Sequence, residues 1–333
     1  MNYLFRIALI CLFLVSCTST KEIKIESSPV TYANTITLSN LKENLYTLAS
    51  DAYEGRNTGE AGQKKAAEFL KEQYQSYGVK SPISIDDYFQ EIPSSFLPGG
   101  VNTSENVVAY IKGSVYPDEI VVITAHYDHL GSNGLEIFNG ADDDASGTVA
   151  VLEIAEAFQK AKNNGHGPKR SILFMNLTAE EKGLFGSKWY VSHPIFPLKN
   201  HIANLNIDMI GRVDDAHLGN ENYIYLIGSD KLSTELHQLS EAMNNKYTQL
   251  NFDYTYNDEN DPNRFYYRSD HYNFVKNNIP IIFYFNGVHE DYHKASDTAE
   301  KINYELLTKR TKLVFYTAWE IANRKQRLKV DVN

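Results

Sequence analysis

Cysteine is almost absent from this 333-residue sequence, and both cysteines, Cys11 and Cys17, lie near its start. Beyond residue 17 no cysteine remains to form a disulfide or to act as a thiol nucleophile. The chain is long enough to bury one large core or two modest ones. Such a core must therefore hold together by packing and hydrogen bonding rather than by covalent crosslinks.

An excess of basic residues is also absent. The formal net charge is −10, and the charges are spread along the chain rather than gathered in a tail. This balance argues against nucleic acid as the main partner. The apolar run "IALICLFLV" at residues 7–15 is too short to cross a bilayer as a permanent helix.

The start of the sequence has the pattern of a targeting segment. Arg6 precedes the apolar run, which fits the core of a signal peptide. The following "LVSC" resembles a bacterial lipobox, so we expect residues 1–16 to be a lipoprotein signal peptide and Cys17 to carry lipid. An ordinary signal peptide is the alternative. We expect a flexible tether over residues 17–36, rich in Ser, Thr and Lys. The protein would then be lipid-anchored in the bacterial cell envelope, facing the periplasm or the cell surface.

From about residue 37 onward, short β-rich apolar runs alternate with helical patterns. The runs are "NVVAYI", "EIVVITAH", "RSILFMNLTA", "ANLNID", "YIYLIG" and "IPIIFYFNG". Most are apolar on both faces, as expected for strands that are covered on both sides. Helical segments lie between some of them, and a last helix is predicted over roughly 303–325. The pattern predicts one α/β domain over 37–333, a three-layer sandwich with a central, mostly parallel mixed sheet and helices on both faces.

Ionisable residues follow several of these predicted strands. They are His126, Asp128 and His129, then Glu180 and Glu181, then Asp208, and then His289, Glu290, Asp291 and His293. The acidic run Asp142–Asp144 lies in a strand-to-helix loop. Ligand sites of open α/β sheets form beyond the carboxyl ends of the strands, so these groups converge on one edge. Carboxylates together with imidazoles suit zinc or another transition ion, and the supply suffices for two ions that share a carboxylate.

Five motifs give the sequence a specific resemblance. They are "TAHYDHLG", "NGADDDASG", "TAEEKGLFGS", "NIDMIGR" and "YHKASDT". In this order they resemble the motifs of the co-catalytic zinc aminopeptidases, whose kin include glutamate carboxypeptidase and glutaminyl cyclase. The resemblance covers about residues 41–325, and it implies a zinc exopeptidase fold with two Zn²⁺ ions per chain.

The resemblance also implies roles for single residues. His126 and Asp208 would bind one zinc, Glu181 and His293 the other, and Asp143 would bridge both. Glu180 would be the general base that activates the water between the metals.

Two further residues have suggested roles. Asp128 lies two residues after His126, on the same face of an extended strand, and would accept a hydrogen bond from its imidazole. The alternative is a surface aspartate. Tyr292 resembles the tyrosine that stabilises an oxyanion in this family, with simple packing as its alternative.

The segment "HEDYH" at residues 289–293 also fits the H-E-x-x-H zinc motif. That motif needs a helix that places both histidines on one face. Here the segment follows a strand and Gly287, and "KASDT" leaves little room for a stable helix. We therefore expect His293 to bind metal without His289.

The function predicted from these residues is a metallo-aminopeptidase, a hydrolase that removes N-terminal residues from peptides. Glutaminyl cyclase, an acyltransferase, is the alternative, as is a carboxypeptidase or dipeptidase in which Arg264 or Arg268 would pair with a substrate carboxylate. The expected partners are a peptide substrate and a membrane reached through the N-terminal lipid, but no nucleic acid. A monomer is expected.

Overall fold

Ten strands form two sheets in the computed structural model of the chain, which describes residues 28–332. In chain order they are β1 (Phe89–Ile92), β2 (Ser104–Ile111), β3 (Tyr116–His126), β4 (Gly131–Ser132), β5 (Ile137–Phe138), β6 (Arg170–Leu177), β7 (His201–Ile207), β8 (Tyr223–Ile227), β9 (Asn251–Asp253) and β10 (Ile281–Phe285). Strands β4 and β5 make a small separate hairpin. The other eight form the central sheet in the order β1-β2-β6-β3-β7-β10-β8-β9.

The centre of the large sheet is parallel. Strands β6, β3, β7 and β10 run side by side in one direction, whereas β2 and β8 flank them in the antiparallel sense. In the register, His126 at the end of β3 lies beside Leu177 at the end of β6. The carboxyl ends of these four strands therefore meet at one edge, where the residues that follow them come together.

Within residues 28–332, eight α-helices surround the large sheet. They are α1 (Pro29–Ala33), α2 (Leu38–Leu48), α3 (Ala61–Tyr77), α4 (Gly147–Asn163), α5 (Phe185–Ser192), α6 (Thr234–Met243), α7 (His271–Val275) and α8 (Tyr304–Asn323). The sequence explains their ends: Thr37 and Asn303 cap α2 and α8 through their side chains, and α3 ends at Gly78, whose φ of 77° is left-handed.

Alternate residues of the central strands pack on opposite faces of the sheet. Val121 and Ile123 of β3 belong to a core cluster that also contains α4 and α8 residues. Val122 belongs to a second cluster with Tyr190 of α5 and Phe274 of α7. Helices thus cover both faces, and the predicted three-layer α/β sandwich is confirmed. None of the helices in residues 28–332 is long and apolar enough to cross a membrane.

The packed domain begins earlier than the sequence suggested. Helix α1 starts after Ser28, whose side chain accepts a hydrogen bond from the Val30 N–H. Tyr32 and Ile36 are 1% exposed, and the Tyr32 ring stacks on Trp319. The predicted tether is therefore wrong for residues 29–36, because two apolar side chains in a polar stretch are enough to anchor it. Cys17 and the signal segment lie outside the described residues.

Candidate metal centre

Asp143 lies between two histidines at the carboxyl edge of the sheet. Its Oδ1 is 3.2 Å from His126 Nε2, and its Oδ2 is 3.1 Å from His293 Nε2. The two oxygens of one carboxylate thus face two different imidazoles. This is the arrangement of a carboxylate that bridges two cations.

Each histidine has a second carboxylate beside it. His126 Nε2 is 3.6 Å from Asp208 Oδ1, and His293 Nε2 is 3.4 Å from Glu181 Oε2. Two ligand atoms on one tetrahedral zinc ion are about 3.4 Å apart, since each lies about 2.1 Å from the metal. The five residues expected as ligands therefore come together as two groups that share Asp143, with spacings that suit zinc.

The buried charge of this cluster also fits cations. Asp143 Oδ2, Asp144 Oδ2 and Glu181 Oε1 are buried without a hydrogen-bond partner among the described residues. Burying a carboxylate without compensation is costly. The fully buried Arg56 nearby donates its hydrogen bonds to carbonyl oxygens, those of Leu48, Tyr127, Asn139 and Gly140. Bound divalent cations would supply the missing compensation.

The other two aspartates of the acidic run support the loop. Asp144 Oδ1 accepts hydrogen bonds from the N–H of Gly147, at the start of α4, and of Met209. It thus pairs with the first backbone N–H of the helix. Asp142 Oδ1 accepts from the Gly211 N–H, and its Oδ2 lies 3.1 Å from His289 Nε2. Both side chains tie the Asp143 loop to the segment after β7.

Glu180 and Glu181 are adjacent but lie in different electrostatic surroundings. Burial raises the pKa of the Glu180 carboxyl well above its usual range, and the charge of Asp208 raises it further. For Glu181, burial acts in the same direction, but His129 and His293 lower its pKa overall. Glu180 lines a cavity next to the cluster together with His126 and Asp208, whereas Glu181 does not line it. One residue is suited to exchange a proton and the other to remain ionised.

Asp128 is fully buried, so the alternative of a surface aspartate is wrong. The expectation that its carboxylate accepts a hydrogen bond from His126 is wrong, however. His126 Nδ1 lies 3.1 Å from the backbone carbonyl oxygen of Asp128 and 3.8 Å from its carboxylate. The carboxylate instead accepts hydrogen bonds from the Glu180 N–H and the Thr58 hydroxyl. Strand β3 ends at His126, so the alternation of side chains on which the expectation rested does not continue.

A cleft opens beside the cluster, with about 380 Å³ of empty space that includes the open solvent at its mouth. The cluster forms its polar side, and the apolar part of its wall consists of Met209, Phe265, Phe283, Phe285 and Val288. Tyr292 lines it too, and its ring stacks on His293 with centroids 3.8 Å apart. Of the two arginines considered from the sequence, Arg268 lines this cavity, while Arg264 lies in a separate depression with Lys231.

The "HEDYH" segment does not form a zinc-binding helix. Residues 286–298 contain turns and irregular backbone but no helix, and His293 itself has a left-handed φ of 56°. His289 is buried against Asp142, and Glu290 is exposed. The H-E-x-x-H interpretation is therefore wrong. His289 lies against Asp142, whereas His293 lies against Asp143 and Glu181.

Three residues of the site had no assigned role in the sequence. The Ser269 hydroxyl donates to Asp208 Oδ2 at 2.7 Å and thereby orients that carboxylate. Asp270 is buried, and burial raises its pKa to about 7. His129 lies against Glu181, with the two side chains 2.8 Å apart. The strings "RSDH" and "HYDH" show polar residues near predicted strand ends. Neither string indicates which residues their side chains contact.

The chain is similar in sequence to known peptidases. A profile of peptidase family M28 matches residues 106–318. Leupeptin-inactivating enzyme 1 of Streptomyces exfoliatus is 29% identical over 270 residues, which cover 80% of this chain and 52% of that enzyme. The chain spans only about a third of three fungal proteins named as probable zinc metalloproteases.

Solved structures share the fold. The Legionella pneumophila LapA aminopeptidase superposes with a TM-score of 0.70 at 24% identity, over 92% of this chain and 77% of that one. The Porphyromonas gingivalis glutaminyl cyclase superposes with a TM-score of 0.63 at 18% identity, over 85% and 97% of the two chains. At these identities the likeness extends to the fold alone.

Proposed function

Because the chain belongs to peptidase family M28, we propose that it is a zinc-dependent exopeptidase that removes N-terminal residues from peptides. One observation carries the proposal. Asp143 directs one oxygen to His126 and the other to His293, while Glu180 lines the cavity beside them. A bridging carboxylate with a free carboxylate next to it is the arrangement that hydrolysis at a two-cation centre needs.

The donor set divides into two zinc sites. His126, Asp143 and Asp208 would hold one ion, and Asp143, Glu181 and His293 the other. Bound zinc supplies Lewis acidity, which lowers the pKa of water towards about 7 and polarises a peptide carbonyl. Ser269 and Asp128 keep the surrounding side chains and backbone in place through their hydrogen bonds.

Glu180 moves the proton in this proposal. Its carboxylate takes a proton from the attacking water and passes it to the leaving amine. The backbone N–H of Glu180 donates a hydrogen bond to the Asp128 carboxylate at 3.1 Å. This bond fixes the backbone that carries the Glu180 side chain. Burial raises the pKa of the Glu180 carboxyl, which favours its holding the proton between the two transfers.

Tyr292 would stabilise the oxygen that becomes negative. Burial and the charges of Asp143 and Asp208 raise the pKa of its phenol. The hydroxyl therefore remains protonated at neutral pH and can donate a hydrogen bond to an oxyanion. Its position in the cavity wall next to His293 supports this role.

The cavity walls indicate the substrate. The carboxylates attract a protonated α-amine, and the apolar side formed by Phe265, Phe283 and Phe285 favours a nonpolar N-terminal side chain. Arg268 at the same cavity is the feature that favours a second candidate, a dipeptidase, because its guanidinium could pair with the carboxylate of a very short substrate.

A peptide panel tests the proposal. Zinc-loaded protein should release the first residue from peptides that begin with Leu or Phe and leave the N-acetylated versions intact. If amidation of the peptide C-terminus abolishes cleavage, the dipeptidase applies. If N-terminal glutamine is cyclised and no peptide is hydrolysed, the protein is a cyclase and the proposal fails.

We also propose that the protein is a lipoprotein of the bacterial envelope, anchored through Cys17. The apolar run before "LVSC" supports this proposal. In fractionated cells, the wild type should partition with membranes and Cys17→Ser should become soluble or remain an unprocessed precursor. A mature Cys17→Ser protein that still partitions with membranes would contradict the anchor.

A further inference from the structure

His129 lies fully buried on the Glu181 side of the candidate metal centre. Its Nδ1 is 2.8 Å from Glu181 Oε1 and 3.8 Å from Asp143 Oδ2. Its ring meets that of His293 edge to face, with centroids 5.9 Å apart. The residue thus contacts the three side chains that form the second zinc site of the proposed function, and the inference rests on that site.

The polar atoms around His129 lack partners. Neither of its ring nitrogens has a hydrogen-bond partner among residues 28–332, and the same holds for Glu181 Oε1 and Asp143 Oδ2. Nδ1 and Oε1 are close enough for a hydrogen bond, but they are not aligned as one. Buried polar groups are usually hydrogen-bonded, so two unpaired groups 2.8 Å apart mark a hydrogen bond that needs only realignment.

The fold holds His129 in this position from several sides. Its backbone N–H donates to the Arg56 carbonyl at 3.1 Å. Gly140, with a φ of 51°, packs directly on the ring, and a Cβ at that position would lie 2.5 Å from two ring carbons. Gly140 therefore covers one side of the imidazole, and the Arg56 carbonyl fixes the backbone from which the side chain extends.

Distances separate a ligand from a supporting residue. Two atoms bound to one tetrahedral zinc ion are about 3.4 Å apart, which suits the 3.1 and 3.4 Å separations from His293 to Asp143 and Glu181. The 2.8 Å between His129 and Glu181 is shorter and suits an N–H···O hydrogen bond. Glu181 therefore offers Oε2 to the ion side and Oε1 to His129.

We propose that His129 is a positioning residue of the second zinc site, which holds Glu181 by donating from Nδ1 to Oε1. A small rotation of the carboxylate aligns this bond, and the proton on Nδ1 fixes the tautomer of the ring. Hydrogen bonds from outer residues to ligating carboxylates orient the ligand and tune the metal. His129 thus sets the affinity of one of the two sites without binding zinc itself.

The test is a zinc titration of the full chain against a chromophoric chelator, which resolves the two affinities without any peptide. His129→Phe keeps an aromatic ring, of larger size, and removes both nitrogens. It should weaken one zinc affinity by about 10–100-fold, leave the other unchanged and still bind two ions at saturation. His129→Asn, which restores an N–H, should recover part of the loss. Should His129→Phe not fold, His129→Ala carries the same expectation.

The matched control is His201→Phe, which changes another buried histidine at the start of β7, bonded to the Tyr190 hydroxyl. It should leave both affinities as in the wild type. Unchanged affinities in His129→Phe would reduce His129 to packing and overturn the proposal. Loss of one zinc ion at saturation would also overturn it, because His129 would then be a ligand. A wild type that binds two ions but cleaves no peptide would contradict the proposed function alone.

Discussion

Glu180→Gln should lower kcat for peptide hydrolysis by about 10²–10⁴-fold while both zinc ions remain bound. Glutamine keeps the size of the side chain but cannot take a proton from water. The backbone N–H that anchors residue 180 to Asp128 is unaffected by the change. Glu180 also lies outside the two groups of closely spaced ligand atoms. Steady-state kinetics and zinc analysis of the same sample measure both effects.

Glu290→Gln is the matched control for this prediction. Glu290 is an exposed glutamate in the "HEDYH" segment, and in the rejected H-E-x-x-H interpretation it would be the base. The substitution should leave kcat within about twofold of the wild type, as is usual for surface changes away from a site. A large loss in Glu290→Gln together with a small loss in Glu180→Gln would reverse the assignment of the base.

Asp143→Ala should lose zinc and activity together. Its two oxygens face His126 and His293 at 3.2 and 3.1 Å, so one substitution removes a ligand from both sites. Each site then keeps two protein ligands, fewer than the three that catalytic zinc sites usually have. Zinc content should fall from about two ions per chain towards none, and hydrolysis should fall to the level of chelator-treated wild type.

The neighbouring Asp142→Ala is the control, because it removes an equally buried carboxylate from the same loop. Asp142 accepts hydrogen bonds from the Gly211 N–H and approaches His289, so its loss should lower thermal stability. Zinc binding and activity should decline less than in Asp143→Ala. Equal and mild effects at both positions would contradict the role of Asp143 as the bridge.

The sequence predicted the architecture well because the central strands are buried on both faces. The run "RSILFMNLTA" and the other apolar runs correspond to the strands of the observed sheet, and the last helix is Tyr304–Asn323 where 303–325 was expected. The short edge strands β1 and β9 were not predicted, because four or three residues carry no periodic signal. Helix α1 was not predicted either, because it is also short. Only its contacts with residues distant in the chain, such as Trp319, show that it is packed.

The sequence also identified the residues of the metal centre, but not their contacts. Strand ends and a family resemblance indicated His126, Asp143, Glu181, Asp208 and His293, which the structure places within reach of one another. The sequence could not show that the Asp128 carboxylate accepts a hydrogen bond from the Glu180 backbone N–H. The direction of the chain beyond β3 depends on tertiary packing. The role proposed for His129 depends on its contacts with Gly140 and Glu181, which the sequence does not show.

The measurement that tests the central claim most directly is anomalous diffraction at the zinc absorption edge from crystals of the zinc-loaded chain. Two peaks are expected about 3.5–4 Å apart, one on each side of the Asp143 carboxylate. The first should lie next to His126 and Asp208, and the second next to Glu181 and His293. Peaks between His289 and His293, or no peak at Asp143, would contradict the central claim.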